Sequence, residues 1–397
     1  MRVVIVTESF PPDVNGVAHC ALQTARHLAA RGHDPLVIAP AGAAGAASGS
    51  WSGSSWSGMG SWSGTGSSSG SDSGLPYPVV RVPSLPLPGY PQVRVALPSR
   101  RVAAALTAHR ADIVHLASPF VLGVRGMAAA ARLGIPAVAV YQTDLAGYAR
   151  TYMGAGEGTA WRRIRAVHSA ADRTLAPSTA ALCDLEEHGV PRVRLWARGV
   201  DTARFRPSLR DEALRRALAP RGELLVGYVG RLAPEKQVEL LAGVCGLPGV
   251  RVVVVGDGPS EPSLRAALPG AVFLGRRTGD DLARIFASLD VFAHTGPYET
   301  FCQTVQEAMA SGVPVIAPAA GGPLDLVRHR STGLLVEPRD ATAVRTAVSA
   351  LAHDAGLRAA YGRAGRAAVE SRTWAAVGDQ LLGHYTDVLR DRTAVAA

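Results

Sequence analysis

Apolar residues in this chain fall into short unbroken runs, and segments with helical spacing lie between them. Runs at residues 2–7, 35–39, 79–82, 112–116, 135–141, 174–176 and 193–196 carry no inserted charge over most of their length, as expected of strands buried on both faces. Helical spacing covers 17–30, 98–109, 122–133, 161–171 and 178–188; in the first of these Leu22, Ala25, Leu28 and Ala29 form the apolar stripe, and Gly32 ends it. A second series begins near Glu223. It has strands at 224–229, 250–255, 272–274, 291–293, 313–317 and 333–336, a helix from Lys236, and helices at 281–288, 303–311, 341–353, 356–370 and 374–390, with a short one after Pro323. Strand and helix alternating in this way predict an α/β protein with doubly wound parallel sheets, present twice in tandem.

Two stretches break the alternation. Residues 42–74 are almost wholly Ser, Gly and Ala, with Ser-Trp-Ser-Gly recurring around Trp51, Trp56 and Trp62. Such a tract buries too little apolar surface to offset its ordering entropy, and reads as a disordered insertion in a surface loop. Residues 201–220 are rich in Arg and Pro and read as a linker. The expected domains are therefore 1–204, 205–373, and a terminal helix from 374 to 397.

Composition narrows the functional classes. At 397 residues and 47% hydrophobic content the chain supports two sizeable cores. No apolar run approaches bilayer length, and the N-terminal MRVVIVTESF is too short for a secretory core. Cys20, Cys183, Cys245 and Cys302 are scattered without a CxxC pair, so no disulfide framework or zinc motif is expected, and the cytoplasm is the expected compartment. The net charge is +9, and most of it (+7) falls in residues 1–204. Those charges are spread singly and no nucleic-acid module is present. The readings left are a solvated surface or peripheral attraction to anionic lipid at the inner face of the plasma membrane. Of 41 basic residues only Lys236 is a lysine; retained among arginines, it suggests a site that needs a compact ammonium.

The chemistry is expected in HTGPYETFCQTVQEAMASGVPVIAP, residues 294–318. A strand ends in a Gly-Pro loop, a helix begins near Cys302 or Gln303, and a strand follows, which puts the loop at the carboxyl end of a parallel sheet, where such folds bind ligands. Glu299 and Glu307 frame it. Between them the first helical amides, Phe301 to Thr304, have no partner inside the helix and suit a phosphate-like anion. The same stretch also reads as an ordinary strand–helix junction with a solvated Glu on each side. Gly230-Arg231 at a strand end and Pro234-Glu235-Lys236, expected to open a helix, add two cations that would oppose the charge developing on a departing diphosphate.

With these residues in place the chain resembles glycosyltransferase family 4, retaining transferases of the GT-B fold. Glu299 and Glu307 match the family's E-x7-E motif and GRLAPEK matches its Arg/Lys clamp. ARGVDTARFRP, at 197–207, matches the segment before the interdomain linker. ESFPPDVNGV, VYQTD and AAGGPLDLV look like the actinobacterial GDP-mannose-dependent α-mannosyltransferases that act on glycolipids. The resemblance implies two Rossmann-like domains facing across a cleft, an acceptor domain first and a nucleotide-sugar domain second. Trp374 and the terminal helix should cross back to the first domain. Arg231 and Lys236 would hold the donor diphosphate with the amides of Phe301 and Cys302. Glu307 would take the ribose hydroxyls and Glu299 those of the transferred sugar. Leu274 to Arg276 would line the base pocket, and Gly16 would let backbone approach the donor. Asp144 stands where many family members have a histidine; it is assigned to the acceptor or transferred sugar, with a helix N-cap before Leu145 as the competing reading. Asn15-Gly16 replaces the commoner double glycine.

The implied reaction is metal-independent transfer of a hexose, mannose from GDP-mannose, to a glycolipid or other hydroxyl acceptor, with no cofactor and with departure and attack on one face of the sugar. Asp280-Asp281 reads as the start of a helix rather than a metal motif. Two alternatives stand beside this: a UDP-sugar-dependent transferase acting on a natural product or aminocyclitol, and an inactive sugar-nucleotide-binding protein.

Overall fold

The computed structural model describes residues 1–13, 15–41, 74–87, 90–117, 119–144, 147 and 156–396. The tract at 42–73 and Leu145 therefore lie outside the described residues. The chain divides into two compact units, residues 1–139 and 140–397.

In the first unit the strands β1 (Arg2–Val6), β2 (Asp34–Pro40), β3 (Val79–Val82), β6 (Ile113–Leu116) and β7 (Ala137–Val140) lie in the parallel order β3-β2-β1-β6-β7. Val3 to Val6 and Val37 to Ala39 are fully buried, as unbroken apolar runs require. An antiparallel pair, β4 (Ser84–Leu87) and β5 (Tyr90–Ala96), was not expected from the sequence. Pro86 and Pro91 disguise it, since proline removes a ladder donor and is tolerated only at edges and bulges; the register shifts between Pro86 and Leu87. The helix expected from residue 98 begins at Arg101.

The second unit holds the short parallel pair β8 (Arg173–Ala176) and β9 (Val193–Leu195) and a six-stranded parallel sheet. That sheet comprises β10 (Leu224–Val229), β11 (Val250–Val255), β12 (Val272–Phe273), β13 (Val291–Ala293), β14 (Val315–Pro318) and β15 (Gly333–Val336), in the order β12-β11-β10-β13-β14-β15. Its side chains alternate between two cores. Leu225, Val229, Val253, Val255, Phe292 and Val315 enter one. Val226, Tyr228, Val252, Val254, Val291 and Ile316 enter the other. A sheet buried on both faces leaves only its strand ends for binding, which puts function in the loops.

Part of the expected linker is helical. Glu212–Leu218 forms a helix whose N-cap, Asp211, accepts from the amides of Ala213 and Leu214 at 2.9 and 3.0 Å. Glu261–Ala267 is a second unforeseen helix. The helix expected from Lys236 is instead two 3-10 turns, Pro234–Lys236 and Val238–Leu241, and then the short helix Ala242–Cys245. Gln237, at φ 51°, breaks the series. The terminal helix, Trp374–Ala396, packs on residues 172–199. Trp196 Nε1 donates to Val377 O at 3.0 Å, Arg173 pairs with Asp387 at 3.0 Å and Arg392 with Asp172 at 2.6 Å.

Candidate active site

Strand order fixes where a ligand belongs. From β10 the chain runs outward through β11 to β12, then returns to the other side of β10 as β13 and continues to β15. The order reverses between β10 and β13, so their loops, 230–237 and 294–302, leave the carboxyl edge side by side. This is the topological switch point, where open α/β sheets bind ligands.

The two loops meet through charge. Lys236 Nζ lies 2.5 Å from Glu299 Oε1, and Thr295 Oγ1 donates to Lys236 O at 2.6 Å, so the 3-10 turn is tied to the second loop twice. Arg231 pairs with Glu235 of its own motif, and Tyr228 OH donates to Arg231 O at 3.1 Å. Two cations thus stand on the first loop, one held by the acid of the second loop and one by a neighbour. Gly256, after β11, closes the floor at φ 142°. A Cβ there would lie 1.8 Å from Gly230 O, so only glycine lets these loops approach.

The second loop is held from behind by AAGGPLDLV. Gly322 N donates to Glu299 O at 2.7 Å. Cys302 then takes φ 76°, ψ 71°, a left-handed conformation rare for a side-chain-bearing residue, and helix Gln303–Ala310 begins. No residue pattern around Cys302 signals this strain. The amides of Phe301 and Cys302 have no acceptor among the described residues. They are open donors on the loop whose Glu299 pairs with Lys236, an arrangement that holds anionic oxygens.

Segment 140–204 completes the surroundings. Thr300 Oγ1 donates to Gln142 O at 3.2 Å, and Arg198 Nη2 to Gln142 Oε1 at 3.2 Å. Gln306 and Gln303 donate to Arg198 O and Gly199 O at 3.2 and 3.1 Å. VYQTD and ARGVD thereby reach the loop through Gln142 and Arg198, two contacts the sequence did not single out. Gln142 Nε2, Arg198 Nε, Gln303 Oε1, Gln306 Oε1 and His294 Nδ1 are buried without hydrogen-bond partners among the described residues. Buried polar atoms are rarely left so, and their concentration here marks a functional site.

Asp144 Oδ1 accepts from Gly147 N at 2.7 Å and from Tyr141 OH at 3.4 Å. Asp144 thus bonds the amide three residues on, and its Oδ2 has no donor among the described residues. Leu274 N donates to Val254 O at 2.9 Å and Gly256 N to Gly275 O at 2.9 Å. These bonds set 274–276 at the same carboxyl edge, with Arg276 exposed. Gly16, in the first unit, is the first residue of helix Gly16–Ala30; Asn15 caps that helix by accepting from Val17 N and Ala18 N. It follows β1, beside the switch between β1 and β6 in that sheet.

Charge states differ sharply around the loop. Burial alone would raise the Glu299 carboxyl; Lys236 and His294 outweigh it and hold the group well below the usual carboxylate range. His294 is 2% exposed, and burial alone would lower it. Cys302 and Glu299, whose Oε1 lies 3.4 Å from His294 Nε2, raise it instead to about 10. These three residues are the described group with metal-ligating atoms. Glu307, half-buried on the helix, is pushed up to about 8 by burial, against the pull of Gln303 and Arg204.

The last shift predicts a pH effect. A carboxyl raised in the folded state binds its proton more tightly there than in the unfolded chain. Its contribution to stability is therefore present at low pH and lost as pH rises from the ordinary carboxylate range to about 8. Glu307→Gln should melt increasingly above wild type as pH rises through this window, with a constant gap above it. Parallel melting curves would refute the assignment.

Comparison with known proteins places this site in a family. The fold matches solved GT-B glycosyltransferases: Anabaena HepE in complex with UDP (TM-score 0.75, 21% identity, 98% of this chain and all of that one) and a Thermosynechococcus elongatus sucrose-phosphate synthase (TM-score 0.74, 19% identity, 98% and 99%). The profile described as Glycosyltransferase Family 4 matches residues 14–204, and that of Glycosyl transferases group 1 matches 210–368. The chain is 47% identical over its whole length to the whole of a Mycolicibacterium smegmatis protein named GDP-mannose-dependent alpha-mannosyltransferase. It is 43% identical to one of the same name from Corynebacterium glutamicum, over 98% of this chain and 89% of that one. The chain belongs to glycosyltransferase family 4, as its motifs led one to expect, and is a glycosyltransferase of the GT-B fold.

Proposed function

We propose that the protein is a retaining mannosyltransferase that moves mannose from GDP-mannose to a hydroxyl of a glycolipid acceptor, without a metal or other cofactor. One observation carries the reading: Lys236 and Glu299 are joined at 2.5 Å at the switch point, beside the open amides of Phe301 and Cys302. The naming of relatives at 43–47% identity supports the choice of donor.

On this reading the donor diphosphate lies on the amides of Phe301 and Cys302, with Lys236 and Arg231 as counter-charges. Glu299 accepts from hydroxyls of the mannose and Glu307 from the ribose diol. Leu274 and Arg276 flank the base, Gly16 admits the donor from the first domain, and Asp144 faces the acceptor or transferred sugar. The bond from the anomeric carbon to the diphosphate oxygen breaks, and its electron pair stays on the phosphate. The acceptor hydroxyl attacks the same face and its proton passes to the departing oxygen. Cations fixed before the reaction stabilise the developing phosphate charge without reorganising. Residues 1–204 form the acceptor domain in this scheme.

The proposed setting is the cytoplasmic side of the membrane, with peripheral contact to anionic lipid. No helix among the described residues is long and apolar enough to cross a membrane. The charge of +7 on residues 1–204 and the exposed Leu85, Leu97 and Phe120 support a surface contact.

Thermal shift separates the donor bases. GDP at about 100 times its Kd should add about 2.7 kcal/mol of stability, with little from UDP. Stabilisation by UDP and not GDP would replace the proposed donor with a UDP-sugar. Mass analysis of products from a panel of GDP- and UDP-sugars identifies the transferred hexose.

A further inference from the structure

Cys302 is an odd residue for its place. Its backbone sits at φ 76°, which glycine adopts without cost, and it is nonetheless a buried cysteine whose Sγ lies 3.8 Å from Thr304 Oγ1. A ring nitrogen of His294, a carboxylate oxygen of Glu299 and this sulfur lie within 4.8 Å of one another. Two further observations bear on what this cluster binds. His294 Nε2 faces Gly296 O at 3.1 Å; a carbonyl only accepts, so that nitrogen carries the proton in the neutral ring. Nδ1, the second ring nitrogen, is buried and without a hydrogen-bond partner among the described residues, and once it sheds its proton it offers a lone pair to an ion. A ring oriented by donating to a backbone carbonyl is the usual state of a metal-binding histidine. Glu299 directs one oxygen, Oε1, to both Lys236 and His294, and Oε2 has no partner among the described residues.

We propose that His294, Glu299 and Cys302 bind a thiophilic divalent cation, Zn2+ or Co2+, at the switch point, and that the bound ion excludes the sugar-nucleotide donor. Imidazole, carboxylate and thiolate suit this class of ion and are poor partners for Mg2+. Tetrahedral Zn2+ on three protein ligands leaves one position for water. The spacing is slightly wider than a closed coordination shell, so the loop tightens on binding. A sulfur–metal bond forms as the thiol proton leaves to solvent, and a nitrogen–metal bond as the His294 ring gives up its second proton to solvent; no electron is transferred. The ion would be inhibitory rather than catalytic, since it draws Glu299 toward Cys302 and lies against the amides of Phe301 and Cys302. Metal binding stands independently of the proposed function; only the exclusion of donor rests on that reading.

Titration of the metal-free full-length protein with Co2+ tests this, because cobalt–thiolate bonds absorb in the near ultraviolet. The expected result is a charge-transfer band that saturates at a single equivalent and is bleached by Zn2+. Cys302→Gly, which fits φ 76° and should fold, abolishes the band. His294→Ala weakens Co2+ by at least the roughly 10–100-fold that losing even an outer-shell partner costs. Cys183→Ser, at the exposed cysteine, keeps the band. No band in the wild type, or a band that survives Cys302→Gly, overturns the site. GDP-mannose should raise the apparent Kd for Co2+ in proportion to its concentration. Intact metal binding that ignores GDP-mannose would overturn the exclusion and the donor reading, and leave the metal site standing.

Discussion

Lys236→Ala should lower kcat/KM for the donor by about 10²–10³-fold, the loss typical of removing one preorganised group that stabilises transition-state charge. The substitution acts twice. It removes an ammonium beside the amides of Phe301 and Cys302, and it takes away the 2.5 Å partner of Glu299, a carboxylate whose side chain is 20% exposed. Lys236→Arg should restore little, because a planar fork does not reproduce a compact point charge seated in a 3-10 turn. Steady-state kinetics together with calorimetric binding of GDP checks both effects. Unchanged binding and turnover in Lys236→Ala would remove Lys236 from the site.

Gly322→Ala should cost about 10²-fold in turnover and lower the melting temperature, although residue 322 is assigned no contact with substrate. A Cβ there would fall 2.2 Å from Phe301 O and 2.4 Å from Phe301 C and Cα. These are backbone atoms, so no rotamer change relieves the clash, and the chain from Glu299 to Cys302 must move. The bond from Gly322 N to Glu299 O goes with it. A displacement of about 1 Å in groups that position a reacting substrate is enough for a loss of this size. Gly243→Ala is the control: its Cβ would meet Arg345 at an ordinary 3.6 Å, and activity should hold. If Gly322→Ala retained full turnover, the loop backbone would have no part in catalysis.

The strands of both sheets were legible because parallel strands buried on two faces must be unbroken apolar runs, as at Val3 to Val6 and Val252 to Val255. The hairpin at 84–96 was hidden by its prolines, and the helix Glu212–Leu218 by an Arg-rich composition that resembles a linker. Glu299, Glu307, Arg231 and Lys236 were legible as a set because motif spacing survives in sequence. Their pairing was not. Nothing in GRLAPEK shows that Arg231 turns to Glu235 while Lys236 reaches the other loop, since that depends on the turn broken at Gln237. The polar chain from Gln142 through Arg198 to Gln306 joins positions up to 164 residues apart and exists only after folding. Cys302 was read for its amide alone, because a left-handed φ at a cysteine has no signature in sequence.

The most direct test of the central claim is a crystal structure of the protein with intact GDP-mannose. The account predicts the diphosphate on the amides of Phe301 and Cys302 with Lys236 Nζ in contact, Glu299 on the mannose and Glu307 on the ribose. A nucleotide bound elsewhere, or bound here with Lys236 and Glu307 turned away to solvent, would contradict it.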